Sequence, residues 1–184
     1  MQQEVIIAGF GGQGVLFAGQ LLSYTALDEG KEVTWFPSYG PEMRGGTANC
    51  TVVISDEEIG SPLVNRPTAV LAMNLPSLEK FENLVKEGGV LVVNASMVNR
   101  EVQRKDIKIV SIPANEIAME LGSERATNMV MLGALLGNLD LLSLEAVGAA
   151  LDRHLPERHK KLLPLNKEAL RRGAEYKAEA IETA

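Results

Sequence analysis

A single cysteine, Cys50, stands among 184 residues. One thiol excludes a disulfide within the chain and an iron–sulfur cluster held by four of its own thiolates. No histidine is near Cys50 in sequence, and the residue sits in a strand-like run, Thr47 to Ile54. A small buried thiol is expected there, not a nucleophile. No apolar run reaches the roughly 18 residues that a membrane-crossing helix needs. Net charge is a modest −6. No basic face suited to nucleic acid is evident, so neither nucleic acid nor membrane is an expected partner. The one tight basic group, Arg153 to Lys161, is interrupted by Glu157 and contains both histidines. It reads as a solvated face, with a patch that meets a phosphate or an acidic partner as the alternative. No secretory leader is legible, and a soluble cytoplasmic protein is the expectation. There is no internal repeat, low-complexity segment or linker, so residues 1–184 read as one domain.

Glycine is abundant where it counts. Val5-Ile6-Ile7-Ala8 runs directly into Gly9-Phe10-Gly11-Gly12-Gln13-Gly14, and an apolar helical pattern follows to Leu27. That order is a buried strand, a tight turn and a helix start. Gly9, Gly11 and Gly14 fit G-x-G-x-x-G, in which glycines permit the bend, ligand approach and close helix packing. The free N–H groups at the helix start favour an anion. The same letters also describe a turn that packs helix on strand and binds nothing.

A missing carboxylate bears on that choice. Strand 2 is expected over Glu32 to Phe36, parallel to strand 1 in a βαβ unit. A dinucleotide site places Asp or Glu at its end to hold the ribose. Here the chain has Phe36-Pro37-Ser38, which argues against an ordinary NAD site. The next ten residues, Pro37 to Gly46, hold two prolines and three glycines. They read as an irregular loop that carries Ser38, Tyr39, Glu42, Met43 and Arg44 at the ligand side of the sheet. Arg44 can offer a planar fork to a phosphate or carboxylate, or pair with Glu42.

Further on, Thr47 to Ser55 is expected as a half-exposed strand, forming a hairpin with an extended piece at Ile59 to Pro62. Buried strands are expected at Thr68 to Met73 and Val90 to Val93. A helix capped by Asn74 lies between them and runs to about Lys86. At the strand end, Asn94 to Ser96 read as an Asx or Ser turn in preference to ligand contacts. Ile107 to Ile112 is the last strand, and Pro113 opens a helix to Leu121. Asn128 to Asn138 is apolar nearly all round, as in a helix buried on several sides. Its Gly133 and Gly137 share a face for a close backbone, read as internal packing. Met119, Met129 and Met131 read as core, and Asn128 can cap its helix or point at the sheet edge. Ser143 caps a short helix, and a helical tail is expected from Asn166 onward as an exposed or docking element.

Three stretches together resemble the gamma subunit of 2-oxoacid:ferredoxin oxidoreductases: Gly9–Gly14, the Ser38-Tyr39-Gly40-Pro41-Glu42-Met43-Arg44-Gly45-Gly46 loop, and Asn128 before its glycine-containing helix. Asn166 and Gly173 fit the same pattern. The resemblance implies an α/β, Rossmann-like domain: a mostly parallel sheet flanked by helices, an antiparallel hairpin insertion and a C-terminal helical segment. It implies a complex that oxidises a 2-oxoacid with coenzyme A to acyl-CoA, carbon dioxide and reduced ferredoxin. Thiamine diphosphate, magnesium and iron–sulfur clusters would belong to alpha, beta and delta-type partner subunits. The chain agrees in lacking cluster thiolates and a G-D-G thiamine motif. By resemblance, Gly9, Gly11, Gly12, Gln13, Gly14, Ser38, Tyr39, Arg44, Gly45 and Asn128 face coenzyme A or a neighbouring subunit, and no catalytic residue is implied. The wording is closest to 2-oxoglutarate-type members, with pyruvate and branched-chain versions sharing the fold. A free-standing nucleotide-binding reductase and a purely structural subunit are the alternatives. Homodimerisation of the isolated chain stays open.

Overall fold

The computed structural model describes residues 1–39 and 46–178. The apolar run Val5–Ala8 lies in β1 (Gln2–Phe10), and the glycine turn leads into α1 (Val15–Asp28). There follow β2 (Glu32–Tyr39), β3 (Thr47–Ser55), β4 (Ala69–Ala72) and α2 (Leu75–Phe81). Next are β5 (Val90–Asn94), β6 (Lys108–Ile112) and α3 (Ala114–Glu120). The last three elements are α4 (Thr127–Leu136), α5 (Leu144–His154) and α6 (Leu163–Ala174). No helix among the described residues is long and apolar enough to cross a membrane.

Six strands form one sheet in the order β2-β3-β1-β4-β5-β6. Strands β1, β4, β5 and β6 are parallel, and β3 is antiparallel to both its neighbours. β1 and β2 therefore run the same way, as the βαβ pattern predicts, but β3 lies between them. Pro37 supplies the reason. It has no N–H to give a ladder, so its strand is confined to an edge. The proline-free, apolar β3 takes the inner place.

That arrangement corrects several expectations. Pro37 does not end regular structure: β2 continues through it, with Pro37, Ser38 and Tyr39 opposite Cys50, Asn49 and Ala48. The hairpin joins β2 to β3, and residues 56–67 contain no strand. β3 is not half exposed, because Cys50 and Val52 to Ser55 are buried between two strands and beneath α1. Helix α2 stops at Phe81 and passes into a 3-10 turn, Glu82–Leu84. The buried Glu82 carboxylate holds Arg100 at 2.6 Å there, while Arg104 donates to the Glu82 and Val85 carbonyls. The tail helix ends at Ala174. Beyond it, the Asn138 side chain donates to Tyr176 O and accepts from Ala178 N, each at 2.7 Å, and so binds the chain back onto the end of α4. Met119 is not core: it is 67% exposed, on the side of α3 opposite the buried Ile117.

Side chains alternate between two apolar layers. Val5, Ile7, Leu71, Val92 and Val110 belong to one, with α1 and α4 upon it and α5 and α6 outside them. Ile6, Ala8, Val70, Ala72, Leu91 and Val93 belong to the other, packed by Leu78 and Phe81 of α2 and by Val85. Every residue of α4 is buried. A Cβ on Gly133 would strike Leu170 O, and one on Gly173 would strike Val130 O. The expected close approach is thus internal, and α6 is its partner rather than an exposed arm.

Candidate functional site

The glycine turn sits at the carboxyl ends of the parallel strands, where open α/β sheets place ligands. Gly12 and Gly14 have φ of 98° and 75°, in the region that favours glycine. Gly9 has a different reason: a Cβ there would lie 2.7 Å from Gln13 Oε1 and 2.9 Å from a Val15 methyl. Gln13 folds back into the turn. Its Oε1 accepts from Phe10 N at 2.6 Å and from Asn74 Nδ2 at 3.2 Å. Gly11 N donates to Gly46 O at 2.9 Å, so the turn also holds the residue that leads into β3.

Asn128, in the first turn of α4, closes the other side. Its Nδ2 donates to Gly14 O at 3.2 Å, an oxygen that also accepts from Ala18 N. It does not cap its own helix from the N-cap position, which Ala126 occupies. Its Oδ1 accepts from Met129 N at 3.0 Å within its own helix, while its amide nitrogen ties the starts of α4 and α1 together. A Cβ on Gly14 would collide with the Asn128 amide. α1 has no side-chain cap and no acidic residue in its first turn, so its positive end stays unneutralised by its own sequence.

An amide chain continues along the strand ends. Asn94 Nδ2 donates to Met73 O at 3.3 Å and to Asn115 Oδ1 at 2.8 Å, and Asn115 Nδ2 donates to Glu124 Oε1 at 3.2 Å. Asn94 Oδ1 accepts from Ser96 N and Ala114 N, which is the expected Asx turn with an added clamp on α3. Asn74 caps α2 through Ser77 N, as expected, and also reaches Gln13.

Above these residues lies a cleft of about 750 Å³. Gly12, Gln13, Gly14 and Asn128 line it, together with Phe17, Met73, Asn115, Glu124, Arg125, Thr127 and His159. The structure thus brings the glycine turn and Asn128 together. Ser38 is not in that lining: it pairs with Asn49, which pairs with Ala8, so it stands two strands from β1, roughly 10 Å away. Tyr39 ends β2. Arg44 and Gly45 lie outside the described residues. Arg125 and His159 were not legible as site residues, because helix packing and a distant basic run deliver them. The signal for His159 was the basic group itself. Its start, Arg153 and His154, instead pairs with Asp28 of α1 at 3.3 and 3.0 Å.

Cys50 is fully buried under Gly19 of α1, and burial pushes its thiol up to about 12, against smaller opposing pulls from Trp35 and the Gly19 backbone. At neutral pH it is a thiol, not a nucleophile. A larger hollow of about 1270 Å³ lies by Lys31, Lys108 and the stretch 136–145, at the amino ends of β2 and β6. It contains none of the expected site residues.

The glycine turn filled by its own glutamine and the second strand displaced to the edge thus sit in an α/β domain with a mostly parallel six-stranded sheet and flanking helices. Residues 4–176 match the pyruvate ferredoxin/flavodoxin oxidoreductase family, and the chain belongs to it. It is 39% identical over 180 residues to the ketoisovalerate oxidoreductase subunit VorA of Methanothermobacter marburgensis, covering 97% of this chain and 37% of VorA. The chain therefore spans little over a third of that relative. It is 36% identical over 172 residues to the 2-oxoglutarate synthase subunit KorC of Methanocaldococcus jannaschii, covering 91% and 92% of the two chains. Among solved structures, it is similar to a keto/oxoacid ferredoxin oxidoreductase gamma subunit from Geobacter sulfurreducens, with TM-score 0.80, 31% identity and 94% and 96% coverage. It is also similar to the 2-oxoglutarate:ferredoxin oxidoreductase of Magnetococcus marinus, with TM-score 0.84, 25% identity and coverage of 95% of this chain and 30% of that one.

Proposed function

We propose that this chain is the gamma subunit of a multisubunit 2-oxoacid:ferredoxin oxidoreductase, and that its glycine-turn face meets coenzyme A beside a partner's catalytic centre. The complex oxidatively decarboxylates a 2-oxoacid, proposed as 2-oxoglutarate, and passes electrons to ferredoxin. Alpha, beta and delta-type partners hold the thiamine diphosphate, magnesium and iron–sulfur clusters. When bound in a partner, thiamine supplies the carbanion chemistry. This chain's part is to position and to exclude water.

The carrying observation is the filled turn. Gln13 takes the Phe10 N–H that an open turn would leave free, and Asn128 takes the opposite side. A ligand here meets the cleft above the turn, where Gly12, Gly14 and the uncapped start of α1 remain accessible. Arg44 and Tyr39, on the stretch that returns at Gly46, are assigned to the same ligand. The Magnetococcus enzyme is described with 2-oxoglutarate, coenzyme A and succinyl-CoA bound, and the KorC relative of like length is named a 2-oxoglutarate synthase subunit. Both support the reading, although VorA carries a branched-chain name. Substrate choice is assigned mainly to the partner subunits.

The free-standing reductase is disfavoured by geometry. The end of β2 is two strands from the turn, and it bears Phe36, Pro37 and Ser38 instead of an acid. The test is anaerobic co-purification from the native host, followed by viologen reduction with 2-oxoglutarate, pyruvate or 2-ketoisovalerate plus coenzyme A. Activity with thiamine- and cluster-bearing partners supports the subunit reading, and Arg44→Ala should raise the KM for coenzyme A in that complex. Recovery of the chain alone, with NAD binding on titration, would overturn it. Normal assembly with an unchanged KM in Arg44→Ala would take that loop off the ligand.

A further inference from the structure

Six of the eight described arginines are engaged by a neighbour. Arg100, Arg104, Arg153, Arg171 and Arg172 are each paired with a carboxylate, and Arg158 Nε donates to His159 Nε2 at 3.1 Å. Arg66 and Arg125 make no hydrogen bond or ion pair among the described residues, and of the two it is Arg125 that lines the glycine-turn cleft. Its neighbour Glu124 accepts from Asn115 Nδ2 at 3.2 Å, on the amide chain. His159 lines the same cleft. Its Nε2 is engaged by Arg158 Nε at 3.1 Å. A guanidinium, an imidazole and the positive end of α1 therefore line one concave space of about 750 Å³, of the size that takes a small ligand.

We propose that Arg125 and His159 form a phosphate-binding subsite for the acyl carrier, separate from the Arg44 loop. The proposal rests on the reading that this face meets coenzyme A. A planar fork matches two oxygens of one phosphate, and an arginine held free of carboxylates needs no internal pair broken before it binds. Coenzyme A offers two phosphate sources, its diphosphate and its 3′-phosphate, and both have the chemistry required.

The assembled complex tests it, with Arg125→Ala, Arg125→Lys and His159→Gln assayed against coenzyme A and dephospho-coenzyme A. Arg125→Ala should raise the KM for coenzyme A about tenfold, the size of one charge-assisted bond, with kcat kept. Lysine should restore part of the loss, as charge without the fork, and His159→Gln should cause a smaller rise. Added salt should weaken coenzyme A binding in the parent and much less in Arg125→Ala. A rise for coenzyme A alone assigns the 3′-phosphate, and an equal rise for both carriers assigns the diphosphate. An unchanged KM in Arg125→Ala, while Arg44→Ala raises it, overturns the subsite and leaves the coenzyme A reading standing. Unchanged values in both overturn the two together.

Discussion

Two glycine-lined joints divide the work of this molecule. At the crossing of α4 and α6, Gly133, Gly137 and Gly173 lie against backbone atoms of Leu170, Ala174 and Val130. Helices separated by larger side chains sit about 8–10 Å apart, and glycine removes that spacer. At the β1–α1 turn, the glycines instead clear room for side chains: Gly9 for Gln13 and Gly14 for Asn128. The first joint is backbone on backbone and cannot yield. The second is backbone on amide and can. The same residue type thus makes one region rigid for stability and shapes the other for a ligand.

Gly173→Ala should break the comparison on its rigid side, with the largest effect. Its Cβ would meet Val130 O and the Ala134 amide nitrogen, and neither atom has a torsion that frees it. The helices must part, and the buried faces of α4 lose contact along their length. A loss of about 3 kcal/mol or more is expected, read from the urea midpoint by circular dichroism. A midpoint close to that of the parent would show that the crossing is looser than backbone contact.

Gly14→Ala should come next. Alanine in the left-handed region costs about 1–2 kcal/mol, and the displaced Asn128 amide adds its bond to Gly14 O. Here the comparison can be sharpened by a cycle. In Gly14→Ala with Asn128→Ala the collision is gone and only the φ strain remains. The double variant should therefore be more stable than the sum of the two losses predicts. Strict additivity would mean that the two positions do not touch. Gln13→Ala should follow at about 1–2 kcal/mol, since it leaves Phe10 N and Asn74 Nδ2 without their acceptor.

The two joints were not equally legible. The glycine spacing in α4 and the all-round apolar pattern announced close internal packing, because a helix buried on every side has nowhere else to go. The turn was legible as a turn, but its contents were not. Gln13 reads as a polar residue beside a ligand, and only the fold shows that it bonds inward. The displacement of β2 was legible in Pro37, had its missing N–H been weighed as an edge signal rather than as a stop. Met119 was misread because a short helix shows too few residues to fix which face is buried. Arg125 and His159 belong to segments 34 residues apart that nothing local joins. Their meeting in one cleft comes from the 3-10 turns Glu124–Ala126 and Glu157–Leu162, which both contact α6.

The smallest expected effect lies away from both joints and serves as their control. Asp56 is exposed, yet it takes Lys31 Nζ at 2.5 Å and the Met1 ammonium at 2.7 Å. Those bonds, with Lys31 the larger cause, hold its carboxyl at about 2. The folded value lies below the unfolded one near 4, so the stabilisation is fully present above pH 4 and is lost as pH falls through 2. Asp56→Asn should therefore lower the Tm slightly, by about a degree, at pH 6, because exposed pairs contribute little. The variant and the parent should converge on acidification, and added salt should shrink the difference at pH 6. The glycine variants make no charge, so their deficits should hold across the same titration. A pH-dependent Gly173→Ala deficit would show that the crossing is coupled to an ionisable group, and the separation of a rigid apolar joint from the charged periphery would then fail.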